Sequence, residues 1–204
     1  MSNTASSVAG ALYHSGCLKF GSFKIKSGIS SPYYVDLSCL LSSPRELCNI
    51  AKIAADEIRK IIDFDRVDKL ASIELKGALI LPSIACELKL PCTVIRKEEK
   101  GYGVTGRMAG AGINNGDHIL FFDDVLSEDL SKPEGIRPLE SLGALVKHLL
   151  VVVDRQQGGR ESLEKLGYSV HALAKINEFV KHLLESKQIT VEQTNAVLRY
   201  VKQE

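Results

Sequence analysis

The chain has no tryptophan, two methionines and only 6% aromatic residues, so its core must be packed chiefly from aliphatic side chains. Long apolar runs are missing too: stretches such as 149–153 fall far short of the roughly 20 residues that a membrane-spanning helix requires. Charge of one sign is not in excess. With 26 Lys plus Arg against 25 Asp plus Glu and a net charge of +1, the composition argues against a broad nucleic-acid footprint, which needs clustered cations, while leaving room for one basic pocket. The five cysteines are odd in number and include no CxxC pair. The opening MSNTASSVAGAL lacks the basic start and continuous apolar core of a signal peptide. Together these absences predict a soluble, reduced, cytoplasmic protein with neither nucleic acid nor membrane as a partner. What remains is 204 residues, 45% hydrophobic and 25% charged, enough for one sizeable core. No repeat, low-complexity tract or linker divides it, and a single domain over 1–204 is expected.

Leu47, Ile50, Ala51, Ala54, Ile58, Ile61 and Ile62 recur at three- and four-residue spacings, with Asp56, Glu57, Arg59 and Lys60 largely opposite. This predicts an amphipathic helix over 47–62. Short β-rich apolar runs at 92–96, 118–122, 149–153 and 168–173 read as buried strands, with helical pattern between them at 82–90 and 160–166. Strands alternating with helices imply an α/β fold whose mainly parallel sheet is covered on both faces. Ile176, Phe179, Val180, Leu183 and Leu184 form one helix face, and Thr190 with Gln193 offers a capping box for a last helix carrying Val197, Leu198 and Val201. Residues 20–38, rich in Gly, Ser and aromatics, suggest an antiparallel hairpin placed as a hood over a site.

Three segments suit chemistry. In ILFFDDV, the apolar run 119–122 leads straight into Asp123 and Asp124. At the carboxyl end of a buried parallel strand, two carboxylates can accept hydrogen bonds from vicinal hydroxyls or help place Mg²⁺; the dipeptide alone equally fits a solvated turn or helix cap. Between Arg96 and Gly112, five glycines alternate with Arg96, Lys97, Lys100 and Arg107. This reads as a mobile basic lid for a polyphosphate, or as a surface loop with solvated charges. Asp154 and Arg155 follow a third apolar run, where Arg155 can fork onto a planar carboxylate or take part in a structural ion pair, and Gly158 and Gly159 make a turn into the next helix. The histidines at 14, 118, 148, 171 and 182 show no metal-ligand spacing.

LYHSGCLKFGSFKIKSGISSPYYVDL, IRKEEKGYGVTG, ILFFDDV and LLVVVDRQQGGRESLEKLGYSVHAL, in this order, resemble the orotate phosphoribosyltransferase family, including the matching domain of UMP synthase, over nearly the whole chain. The resemblance implies a type I phosphoribosyltransferase-like fold with an N-terminal hood. It implies transfer of the phosphoribosyl group of PRPP to orotate, giving orotidine 5′-monophosphate and pyrophosphate with Mg²⁺, in pyrimidine biosynthesis. By the same likeness Lys26 would reach the pyrophosphate or orotate region, Tyr34 and Val35 would pass along the orotate face, and Arg155 would hold the orotate carboxylate. Lys76, Arg96, Lys97 and Lys100 would neutralise the departing pyrophosphate, and Asp123 and Asp124 would bind the ribose hydroxyls. Tyr102 stands where many bacterial relatives carry His. A homodimer is implied, with the lid closing over the neighbour's site.

The chain departs from the family pattern twice. After Val125, where relatives open a helix with a T-x-G-T/S loop around the 5′-phosphate, this sequence reads LSEDLSKPEGIRPLESLG. Ser127 keeps a hydroxyl, Glu128 and Asp129 bring negative charge, and Pro133, Gly135 and Pro138 are expected to interrupt the helix, since a Pro costs about 3 kcal/mol in a helix interior. In ASIELKG, Ser72 replaces the expected Gly and Glu74 adds an anion. An active enzyme using Ser127, Ser131 and Lys132 as a substitute cradle is one reading; a catalytically impaired relative, acting as a pyrimidine- or nucleotide-binding regulator or partner subunit, is the other.

Overall fold

The computed structural model describes all residues except 1–2, 25–27, 29, 62–65, 101–105, 128–130 and 203–204. In chain order it contains α1 (Asn3–His14), β1 (Leu18–Lys24), β2 (Ser30–Val35), a 3-10 helix at Leu37–Ser42, α2 (Pro44–Ile61), β3 (Lys69–Ile73), α3 (Lys76–Leu88) and β4 (Cys92–Lys100). There follow β5 (Gly106–Gly110), β6 (His118–Leu126), α4 (Ser131–Glu140), β7 (Leu145–Asp154), α5 (Gly159–Lys165), β8 (Ser169–Lys175), α6 (Ile176–Glu185) and α7 (Val191–Lys202).

Six strands form one sheet in the order β5-β4-β3-β6-β7-β8, parallel except for the edge strand β5. The near-continuous apolar strands follow from burial on both faces. In β6, Leu120 and Phe122 belong to one core with α1, α2, α3, α6 and α7, whereas Ile119 and Phe121 belong to a second core with α4 and α5. The expected hood is a separate antiparallel pair in which Leu18 faces Val35 and Lys24 faces Ser30. The capping box of α7 is formed: Thr190 N–H donates to Gln193 Oε1 at 2.9 Å, and Gln193 N–H to Thr190 Oγ1 at 3.2 Å. No helix among the described residues is long and apolar enough to cross a membrane.

Two expectations are corrected. The basic segment from Arg96 is not a loop throughout, because β4 runs on to Lys100 and β5 returns antiparallel beside it, making an arm. Nor do Pro133, Gly135 and Pro138 interrupt the helix, for all three lie inside α4. Pro133 sits in the first turn, where backbone N–H groups have no intrahelical acceptor. Pro138 sits in the last turn, so one missing bond ends little helix. Gly135 is needed for docking, since a Cβ there would stand 2.8 Å from Phe121 Cζ and 3.0 Å from Ile73 Cβ. Contact with the sheet outweighs the local propensity.

Candidate active site

Parallel strands present their carboxyl ends along one edge, where open α/β sheets bind ligands. At that edge stand Lys76, the first residue of the helix after β3; Asp123 and Asp124, inside β6 rather than beyond it; Ser127, just past β6; and Arg155, just past β7. The loops after β6 and β7 are tied together. Arg155 N–H donates to the Leu126 carbonyl at 2.9 Å, and a Cβ on Gly159 would collide with the Ser127 carbonyl.

The hood meets this edge at two points. Along β2 the inward residues are Ser31, Tyr33 and Val35, so Val35 is buried in the core while Tyr34 faces outward. Lys76 Nζ donates to Tyr34 Oη at 3.2 Å, stands 5.1 Å from its ring centre and pairs with Asp36 at 3.1 Å. Burial opposes the Lys76 charge, but Tyr34 and Asp36 outweigh it and hold the ammonium above its usual range. Burial likewise pushes the Asp36 carboxyl up, and hydrogen bonds from Ser38 and Lys76 carry it below its ordinary value. Further along the edge, Arg155 Nε donates to Tyr33 Oη at 3.0 Å, one guanidinium nitrogen reaches Ser31 Oγ at 3.4 Å, and the guanidinium lies 4.8 Å from the Tyr33 ring centre. Tyr33 meets Tyr200 of α7 edge-on at 6.0 Å.

The acidic pair is unequal. Asp123 is buried and ion-paired with Lys132 of α4 at 2.9 Å, while Asp124 is half-buried. Burial first, and then the negative Asp123 beside it, push the Asp124 carboxyl up to about 7, with Lys132 opposing. Lys132, expected as a stand-in phosphate ligand, is thus engaged with Asp123. Gly77 allows α3 to begin against this carboxylate, since a Cβ there would lie 2.5 Å from Asp123 Oδ1 and 2.6 Å from Ser72 Oγ.

The arm uses its charges differently from one another. Arg96 donates to the Gly106 carbonyl at 2.9 Å, and Arg107 donates to the carbonyls of Arg96 and Lys97, both at 3.2 Å, so the two arginines brace the hairpin. Glu74, which would repel a polyphosphate, accepts the Lys97 N–H at 2.6 Å. The Lys97 side chain lines a cleft of about 640 Å³ with Arg107, Glu134 and Arg137, on the α4 side of the arm. Lys26 and Tyr102 lie outside the described residues, as do Glu128 and Asp129, and Lys100 is described only as the last residue of β4. Asp154 pairs with Arg160 at 3.0 Å, leaving Arg155 to the hood. Sequence reasoning missed Tyr33, Ser31 and Asp36; the period-two pattern of SSPYYV already placed Ser31 and Tyr33 on the face opposite Tyr34.

No family model matches the chain. The solved structure of Leishmania donovani UMP synthase superposes with a TM-score of 0.88 at 30% identity, covering 98% of this chain and 42% of that one. This chain therefore spans about two fifths of that protein. Orotate phosphoribosyltransferase from Aeropyrum pernix gives a TM-score of 0.74 at 25% identity, covering 90% and 99%. The mainly parallel sheet flanked by helices is that of a type I phosphoribosyltransferase. In sequence, orotate phosphoribosyltransferase of Pyrococcus abyssi is 37% identical over 165 residues, 80% of this chain and 88% of the relative. The chain belongs to the orotate phosphoribosyltransferase family.

Proposed function

We propose that the protein transfers the phosphoribosyl group of PRPP to orotate, yielding orotidine 5′-monophosphate and pyrophosphate. The observation that carries this reading is the convergence of Lys76, the Asp123–Asp124 pair and Arg155 on three neighbouring strand ends, with one hood strand touching both outer groups. Arg155 presents a planar fork of donors suited to the orotate carboxylate. Tyr34 lies on the outer face of the hood strand, in contact with Lys76, where an acceptor ring can lie against it. In a dissociative transfer the bond from C1 to pyrophosphate loosens before the acceptor attacks, and positive charge held near the leaving group lowers the barrier. Lys76 supplies such charge at the sheet edge, and the family likeness gives the same part to Lys97 and Lys100 of a second copy's arm. Orotate nitrogen then bonds to C1 as the bond to pyrophosphate breaks, and its N–H proton passes to the released pyrophosphate or to water, so no side chain has to act as base in that step.

Mg²⁺ binds proteins through one or two carboxylates together with substrate phosphates rather than through a full protein cage. The described residues hold no group of three or more ligating side chains, so such an ion would be held by the donor's own oxygens, with Asp124 as the neighbouring carboxylate. Its chemistry would be to offset charge on the departing pyrophosphate.

Because Lys97 and Arg107 line a cleft on the α4 side of the arm rather than the edge that carries the acidic pair, we assign the arm to the site of a second copy, and the working enzyme is a homodimer. All five cysteines are free, which suits a reducing cytoplasm. A spectrophotometric assay of orotate consumption with PRPP and Mg²⁺ tests the activity: turnover that requires all three components is expected, and folded protein that neither turns over nor binds PRPP overturns it. The internal engagement of Asp123 favours one rival, a regulator that binds pyrimidine without transfer; orotate or nucleotide binding with silent chemistry is its signature.

A further inference from the structure

Asp123 has surroundings that a simple hydroxyl-binding role does not explain. Its Oδ1 accepts the N–H of Asp124 at 2.9 Å, and its Oδ2 faces Lys132 Nζ at 2.9 Å. The same ammonium donates to the Val125 carbonyl at 2.7 Å, and the Lys132 and Asp123 side chains are only 4% and 8% exposed. On the other side, Gly77 packs so closely that even a methyl group would meet Asp123 Oδ1. An ammonium in the first turn of a helix opposes the positive end of the helix dipole, and burying it is unfavourable unless it is paired and hydrogen-bonded. Asp123 and the Val125 carbonyl meet both requirements. Successive side chains of a strand leave it on opposite faces, so while Asp123 is paired with Lys132 of α4, Asp124 leaves the strand on the other face, half-buried beside Asp123 and not tied to Lys132 by an ion pair.

From this geometry we infer that Lys132 is a positioning residue for the sugar donor: by anchoring and neutralising Asp123, it makes Asp124 the carboxylate of the pair that takes the donor's ribose hydroxyls. The pairing has a second effect. A polyanionic donor approaching two adjacent carboxylates is repelled, and Lys132 cancels one of those charges without leaving the protein. The inference rests on the proposed activity, because it needs a donor carrying vicinal hydroxyls and phosphates.

Calorimetric titration with PRPP and Mg²⁺ on the full chain tests it, using wild type, Lys132→Met, Asp123→Asn, Asp124→Asn and the double variant Asp123→Asn with Lys132→Met, with melting curves on each. Lys132→Met is expected to weaken PRPP about tenfold while orotate binding is unchanged. Asp124→Asn is expected to lose more than Asp123→Asn, and the double variant to bind no worse than Asp123→Asn alone. PRPP binding by a folded Lys132→Met at wild-type strength overturns the inference, as does a larger loss from Asp123→Asn than from Asp124→Asn. Additive losses in the double variant also overturn it, since Lys132 would then act on the donor directly. If Lys132→Met fails to fold, the double variant, which leaves no buried charge unpaired, carries the comparison with Asp123→Asn. Wild type that neither binds nor turns over PRPP sinks the proposed activity along with this role, whereas an active wild type matched by Lys132→Met sinks this role alone.

Discussion

Arg155 reaches the edge of the sheet on a side chain already restrained from two directions, by the Tyr33 hydroxyl and by the Tyr33 ring below its guanidinium. A long flexible side chain loses about 2 kcal/mol of rotamer freedom when fixed, and here part of that loss is taken before any acceptor arrives. Tyr33→Phe keeps the ring and removes the hydrogen bond. A bond to a charged donor contributes about 1.5–3 kcal/mol to the fold, so the melting temperature should fall by several degrees, and with Arg155 less restrained the KM for orotate should rise by up to roughly tenfold while the KM for PRPP stays near wild type; thermal melts and steady-state kinetics with each substrate varied in turn measure this. The placement of Asp123, Asp124 and Arg155 was legible in the sequence because each follows an apolar run and so lies toward the carboxyl end of a strand, although β6 runs on past the two aspartates to Leu126. Tyr33 was not, because its importance comes from a partner 122 residues away in the chain. Lys132 was noticed for its charge alone, and its direction is set by how α4 docks.

At the scale of elements, α4 shows why composition misled. Two prolines and a glycine within ten residues contradict a helix by propensity, yet each occupies a place where its handicap is small or useful. In an exposed helix Gly→Ala gains about 1 kcal/mol. At Gly135 the added methyl meets Phe121 and Ile73 at 3.0 Å or less, so Gly135→Ala should cost about 1–3 kcal/mol through overpacking, lowering the melting temperature by several degrees. Gly10 in α1 has nothing within 4 Å of its virtual Cβ, and Gly10→Ala should raise it. Thermal melts of the two variants side by side check the contrast. The strands were legible to within a few residues at their starts, because β-rich apolar runs are hard to read otherwise. β3 was missed: KLASI is short and carries Lys and Ser, and only its position between two buried strands makes it one. α1 escaped notice because its small residues give a weak periodic signal.

For the molecule as a whole, stability below neutral pH depends in part on a pair away from the acidic residues. His148 of β7 and His171 of β8 lie with ring nitrogens 3.2 Å apart. Burial pushes both imidazoles below their ordinary value, with Lys147 adding to it at His148, and with His148 and Arg160 adding to it at His171. The unfolded chain therefore binds protons there before the folded one does. This contribution to stability is complete above about pH 6.5 and is lost as pH falls toward the depressed folded values. The raised Asp124 carboxyl acts in the opposite sense, because below about pH 7 the folded chain holds its proton and the unfolded chain does not. The histidines therefore show by comparison: between about pH 6.5 and 5 wild type should lose melting temperature relative to His148→Gln with His171→Gln; denaturation curves of both across the range test it. Asp36 and Asp117, whose carboxyls are held low by hydrogen bonds that outweigh burial, add a separate loss only below about pH 4. The α/β class and the hood were legible at this scale, since alternation and periodicity are local. The order of strands was not, because pairing β3 with both β4 and β6 depends on contacts between segments far apart in the chain.

The contact of Arg155 with the Tyr33 ring, and the edge-on contact of Tyr33 with Tyr200, reach the final turn of α7. The guanidinium at the sheet edge is thus braced, through one ring, by a helix that packs on the far side of the hood strand from Tyr34. Unravelling of the last turn of α7 would withdraw the support of Tyr33 and loosen Arg155, while the Asp123–Lys132 pair, which does not depend on that helix, stays in place.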